Sequence, residues 1–178
     1  MKKRVLSVLL VIALLIAVGI IAAQAETSYT PEQIVSMSAQ QRFTGTDPVE
    51  APCYACGGEM KVWQPLTAIT DGSATVMTED HYFVAEEITH GQLQATAGKN
   101  ICLHLNGKNV TYGAHSAAIT GSSGVLNIMG NTTIWGGSTT LGTVDISAGG
   151  TMNVYGAKLK GHAASILAAQ SQGGTINF

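Results

Sequence analysis

One heptad recurs along the second half of the chain and limits its architecture more than any other feature. Gly124-Val125-Leu126-Asn127-Ile128-Met129-Gly130 is echoed by Gly150-Thr151-Met152-Asn153-Val154-Tyr155-Gly156, and again by Gly174-Thr175-Ile176-Asn177-Phe178. The asparagines are 26 and then 24 residues apart, flanked at the same offsets by Leu126 and Ile128, Met152 and Val154, Ile176 and Phe178. Upstream, Ile119 corresponds to Ile146, and downstream Ile134 corresponds to Leu159. A unit this short cannot bury its own apolar side. Stacked copies can, so a period in the mid-twenties with short strands and glycine turns reads as one coil of a parallel β-helix. Because side chains alternate along a strand, the aliphatic pair of each copy points inward and the asparagine outward. Stacking then aligns Asn127, Asn153 and Asn177 into an amide ladder that hydrogen-bonds along itself.

The surrounding sequence agrees. Strand-like runs follow one another from His81 to the C-terminus: 81–84, 101–105, 124–128, 132–135, 143–146 and 151–155, separated by glycine, asparagine or serine. No stretch there holds a 3.6-residue period for three helical turns. Only 11% of residues are charged and 21 are glycine, which suits short strands and tight turns better than packed helices. The expected fold is all-β: a right-handed parallel β-helix of about four coils with a period of 24–27, spanning 76–178. Before it, 26–75 reads as a leader or cap segment containing a C-x-x-C pair. Thr30-Pro31-Glu32-Gln33 has the pattern of a capped helix start, with proline at the first helical position. That helix either covers an open end of the β-structure or is a leader.

Residues 1–25 have the three parts of an export signal. Met1-Lys2-Lys3-Arg4 is charged, Val5 to Ala22 is apolar, and Ala23-Gln24-Ala25 presents small residues for cleavage before Glu26. The protein is therefore expected outside the cytoplasm or on the cell surface. If the site is skipped, the apolar run is long enough to anchor the chain in a membrane. Cleavage would leave Arg42 and five lysines against eleven acids, a net charge near −5. Such a chain lacks the attraction to phosphate that nucleic-acid binding requires, and no nucleic-acid partner is expected.

Ile101-Cys102-Leu103-His104-Leu105-Asn106-Gly107-Lys108-Asn109-Val110-Thr111 resembles the first coil of large secreted and surface proteins of gut Clostridia-type bacteria, which have a pectate-lyase-like fold. His81-Tyr82-Phe83-Val84 is similar to the Tyr-rich strand that precedes it in those proteins. Cys53-Tyr54-Ala55-Cys56-Gly57-Gly58 with Trp63 is similar to their upstream cysteine knuckle. The resemblance covers about residues 53–178. It implies the fold and leaves the activity open, since some β-helix families are polysaccharide lyases or hydrolases and others are adhesins.

The residues argue against those enzymes. Hydrolysis of a glycosidic bond needs two facing carboxylates, and a lyase of this fold is expected to use clustered acids for calcium with an arginine or lysine base. From residue 88 onward the chain has one acid, Asp145, and no arginine. Lys158 and Lys160 share an outer face and read as solvated lysines, and Glu79, Asp80, Glu86 and Glu87 as solvated edge and turn residues. Gly121-Ser122-Ser123-Gly124 is a turn, and no serine-nucleophile elbow, phosphate loop or dinucleotide fingerprint occurs. Catalysis by these residues alone is not expected.

The cysteines form the sharpest constellation. Alternation along 101–105 puts Cys102 and His104 on one face, so Cys53, Cys56, Cys102 and His104 would make a closed structural zinc site fastening the cap to the first coil. A disulfide between two of the three is favoured by export, although the odd third thiol fits a simple disulfide framework poorly. Free thiols are the third reading. His81, His90, His115 and His162 are unclustered in sequence and read as turn or strand-surface residues.

The expected role is structural and adhesive, with polysaccharide or surface proteins as partners. The candidate ligand face carries Asn127, Asn153, Trp135 and Tyr155, the polar and aromatic mix that sugar contact favours. The rival is the N-terminal part of a polysaccharide lyase or hydrolase whose catalytic coils lie beyond Phe178. Because the last repeat is followed by no polar cap, self-association through an open β-helix end is expected.

Overall fold

The structure, a computed structural model, describes residues 28–113, 116–137, 142–161 and 169–178. The expected signal segment, His115 and His162 lie outside the described residues. Among these residues no helix is long and apolar enough to cross a membrane.

Alternating burial sets the strands of the three repeats. In β9 (Val125–Met129), Leu126 and Ile128 are buried around a half-buried Asn127, and β12 (Thr151–Tyr155) repeats this with Met152, Asn153 and Val154. These two strands pair in parallel with like opposite like: Leu126 with Met152, Asn127 with Asn153, Ile128 with Val154. β15 (Thr175–Asn177) continues the column with Ile176 and Asn177. Equal side chains one above another bury one continuous aliphatic core, which is what a repeat of this kind requires.

The rest of each coil supplies two further walls. β6 (Asn100–His104), β7 (Val110–Thr111) and β8 (Ile119–Ser122) form the first complete coil. β9, β10 (Thr133–Gly136) and β11 (Val144–Ser147) form the second, and β12, β13 (Lys158–Gly161) and β14 (Ala169–Gln172) the third. The fold is thus a β-solenoid of stacked parallel coils, with three complete turns among the described residues rather than the four expected. Two shorter coils lead in, each with two strands: β2 (Glu59–Leu66) with β3 (Ala74–Met77), then β4 (His81–Val84) with β5 (Gln92–Ala95). The sheets run β2-β4-β6-β9-β12-β15, β3-β5-β8-β11-β14 and β7-β10-β13. Parallel stacking therefore begins at β2, inside the segment read from sequence as cap, because Gln64, Pro65 and Leu66 pair with Tyr82, Phe83 and Val84.

One correspondence moves. Ile119 pairs with Val144, and Ile146 pairs with Gly121. A Cβ on Gly121 would lie 2.7 Å from Ile146 Cδ1, so the isoleucine fills space that the glycine leaves empty. Ile134 does pair with Leu159.

The first sheet is buried on both faces. Helix α1 (Pro31–Gln40) starts with Thr30 accepting from the Gln33 N–H, while the Gln33 side chain accepts from the Thr30 N–H. It lies along the side of the solenoid against β9 and β12, not across an end. Beside it, β1 (Val49–Cys53) pairs antiparallel with β2. Ile34, Phe43, Trp63, Phe83 and Met129 pack between these elements and the sheet as a second small core. Phe43 stacks on Phe83 at 4.8 Å, and Trp63 donates to the Ala51 carbonyl at 3.0 Å.

Candidate metal centre

Register brings the ligands together. His81 on β4 pairs with Cys102 on β6, which pairs with Asn127 on β9. His81, Cys102, Asn127, Asn153 and Asn177 therefore occupy one outward column of the sheet. From the other side, Cys53 ends β1 and Cys56 closes the short 3-10 turn Tyr54–Cys56. Gly57 and Gly58 follow in the left-handed region, and the Gly58 N–H returns to the Cys53 carbonyl at 2.9 Å. That tight return turns both sulfurs toward the column.

The result is a group of Cys53, Cys56, His81 and Cys102 whose ligand atoms all lie within 4.8 Å of one another, an arrangement that could hold a metal ion. Cys56 Sγ is 3.0 Å from Cys53 Sγ, 3.5 Å from Cys102 Sγ and 3.5 Å from His81 Nε2. All three cysteines are free thiols. Cys53 and Cys102 are buried, while Cys56 and His81 are half-buried. Hydrogen bonds from Cys102 and Cys53, reinforced by His81, hold the Cys56 thiol far below the usual range. The same contacts to Cys102 and Cys56, with burial, push Cys53 far up. The trio thus keeps one negative charge on Cys56 and protons on its neighbours, a cluster ready to exchange protons for a cation.

His104 does not join this group, contrary to the sequence reading. It shares the outward face with Cys102 but sits farther along the strand, level with Phe83 and Met129. Both ring nitrogens are engaged: Nε2 donates to the Ser38 carbonyl at 2.9 Å, and Nδ1 accepts from the Asn106 N–H at 2.9 Å. Burial pushes its pKa down to about 4, the Ser38 hydrogen bond opposing and the Arg42 charge adding to the shift. It is a neutral packing residue that ties α1 to the sheet. His81, read as an unclustered surface residue, takes the fourth place. Its signal in the sequence was the repeat column itself, which extends backward through Cys102 to His81.

The four ligand-face residues separate. Asn177 donates to Asn153 at 2.8 Å, Asn153 donates to Asn127 at 2.8 Å, and Asn127 donates to Cys102 Sγ at 3.5 Å. Those amides form a ladder ending on a sulfur, on the side where α1 packs. Tyr155 is half-buried against the small outer core. Trp135 stands on a different sheet, on β10, with its ring 36% exposed and its Nε1 donating to the Gly161 carbonyl. Asn109, Thr111, Thr133 and Lys160 line a shallow groove with it, the Lys160 ammonium 5.5 Å from the ring centre.

The acids form no second centre among the described residues. Asp145 is buried on β11 and accepts from Gln172 at 2.9 Å. Glu86 accepts from the Ala68 N–H, and Asp80 lies 4.0 Å from Lys99. Compared with protein-family models, with curated proteins and with solved structures, the chain gives no match.

Proposed function

We propose that the protein is an exported scaffold that works outside the cytoplasm or at the cell surface, binding glycan or a glycan-bearing surface partner and catalysing nothing itself. The observation that carries this reading is the Trp135 groove. An indole ring on a rigid three-stranded wall, bordered by threonine hydroxyls, an amide and an ammonium, offers a stacking platform with hydrogen-bonding groups around it, the mix that sugar contact favours. The proposed face is thus narrower than the four residues chosen from sequence, because the asparagines spend their amides on one another. Stacked parallel coils and an amide ladder also support kinship with the pectate-lyase-like secreted proteins that the sequence resembles. Fastening of the cap segment by a structural zinc ion at the cysteine–histidine group belongs to the same reading.

Affinity electrophoresis against a panel of neutral and acidic polysaccharides tests the binding role. Retardation by at least one polysaccharide, lost in Trp135→Ala, is the expected result. No retardation by any member, or equal retardation of the variant, would count against it. Location is tested by fractionation with N-terminal sequencing of the native product, which should begin at Glu26. A product retained in the cytoplasm with its leader intact would refute export.

A further inference from the structure

The outward column of the first sheet changes chemistry along its length, from imidazole and thiol to three amides, with hydrogen bonds running in one direction. We propose that Cys53, Cys56, His81 and Cys102 hold one zinc ion in a closed four-ligand site and that Asn127 is a positioning residue that sets the Cys102 thiolate for it.

Geometry supports the ion. Zinc binds thiolate at about 2.3 Å and imidazole at about 2.0 Å, so a tetrahedral site separates neighbouring sulfurs by roughly 3.8 Å and sulfur from nitrogen by roughly 3.5 Å. The Cys56–Cys102 and Cys56–His81 separations, both 3.5 Å, are close to those edges. Only the Cys53–Cys56 pair, at 3.0 Å, must open slightly, and both residues sit in a short turn that can adjust. Three soft thiolates with one imidazole and no carboxylate among the four select zinc over calcium or magnesium.

Placement supports a structural role. Two ligands come from the β1 turn and two from adjacent strands of the stack, so one ion would join segments 28 to 49 residues apart in sequence, from Cys53 to His81 and Cys102. With four protein ligands no position remains for substrate, as in structural rather than catalytic sites. An opening lined by Lys61, Asp80, Lys99 and Asn100 leads to Cys56 and His81 from solvent, a route by which the ion could reach the site.

Asn127 supplies the outer contact that metal ligands commonly need for orientation. Its Nδ2 donates to Cys102 Sγ while its Oδ1 is held by Asn153, so the amide cannot flip without losing both bonds. A thiolate that accepts this hydrogen bond is fixed in direction and carries less charge of its own. The ladder beyond Asn127 keeps that donor in place.

This inference rests on the scaffold reading for the cap's purpose, but zinc content and polysaccharide binding are separate measurements, so either can fail alone. The full chain, purified under reducing conditions, is assayed for zinc, copper and iron and then loaded with cobalt(II). One zinc per chain is expected, with the sulfur-to-cobalt absorption and intense visible bands of a tetrahedral site. Cys102→Ser and His81→Ala should lose the metal, His81→Cys should regain it with a shifted cobalt spectrum, and His104→Phe should keep it. Asn127→Ala should retain one zinc while shifting the charge-transfer band and weakening affinity roughly tenfold or more. A different resident metal, a chain mass short by two hydrogens with Cys53 joined to Cys56, or zinc retained in both Cys102→Ser and His81→Ala would overturn the site. An Asn127→Ala protein identical in spectrum and affinity would overturn the positioning role.

Discussion

The side chain of Asn106 pairs with the backbone of Phe43 as a strand would: its Oδ1 accepts the Phe43 N–H at 2.8 Å and its Nδ2 donates to the Phe43 carbonyl at 3.0 Å. Nδ2 also reaches the Val84 carbonyl at 3.2 Å. Asn106 is buried with a φ of 52°, a left-handed conformation that asparagine tolerates better than most residues. The segment after α1 is thereby fastened to the turn that follows β6. Asn106→Leu leaves both Phe43 groups without these partners and imposes an unfavourable φ. A loss of about 3 kcal/mol in urea unfolding is expected. A loss below about 0.5 kcal/mol would show that water replaces the bonds.

The amide ladder makes a second prediction. Asn153 donates to Asn127 and accepts from Asn177, so Asn153→Ala removes two hydrogen bonds at a half-buried position. A cost of about 1–2 kcal/mol in thermal or denaturant unfolding is expected. Asn153→Asp should cost more at neutral pH and recover on acidification, since a protonated carboxyl can donate again where the carboxylate cannot. A flat pH dependence would argue that the ladder is not continuous through this position.

Two glycines with the same backbone conformation separate crowding from strain. Gly98 has φ 75° and open space where a Cβ would go, whereas Gly124 has φ 77° and its Cβ would lie 2.2 Å from the Lys99 carbonyl oxygen. Gly98→Ala should cost about 1–2 kcal/mol, the left-handed penalty alone. Gly124→Ala must also push two coils apart and should cost at least about 3 kcal/mol. Calorimetry showing equal effects would mean that the coil spacing at Gly124 is loose.

Asp145 sets a pH dependence. Burial raises its pKa above the ordinary carboxylate value, against the opposing Gln172 hydrogen bond, and Oδ1 has no hydrogen-bond partner. A raised folded-state pKa means that the native chain holds this proton more tightly than the unfolded chain. This contribution therefore favours folding at low pH and is lost as pH rises from the unfolded carboxylate pKa through the folded one. Asp145→Asn keeps an acceptor for Gln172 and removes the charge. The variant should be more stable than the wild type at pH 7, with the gap closing on acidification. A variant less stable than the wild type at pH 7 would contradict this account.

Much of the solenoid was legible without coordinates. The spacing of Asn127, Asn153 and Asn177 and the aliphatic residues on either side predicts parallel coils in register, and those residues stack as expected. Less legible were β2, β3 and β5. Their burial patterns alternate poorly, and their inward residues follow shorter coils that share no spacing with the later repeats. The helix start at Thr30 was readable from its cap, but its position on β9 and β12 was not, because packing partners leave no local mark.

The metal group shows where the division falls. Alternation along one strand is local chemistry, and it correctly put Cys102 and His104 on a common face away from the inward leucines. Alternation cannot say which residue of the neighbouring strand lies opposite, since that depends on the length of the turn between coils. The coil before β6 is shorter than those after it, which brings His81 level with Cys102 and sets Phe83 beside His104. Once α1 packs there, Ser38 and Asn106 occupy both nitrogens of His104 and leave His81 facing the sulfurs. The repeat dictates that coils stack, because each copy must cover the apolar side of the last. The identity of the fourth ligand comes from register and from what the helix covers.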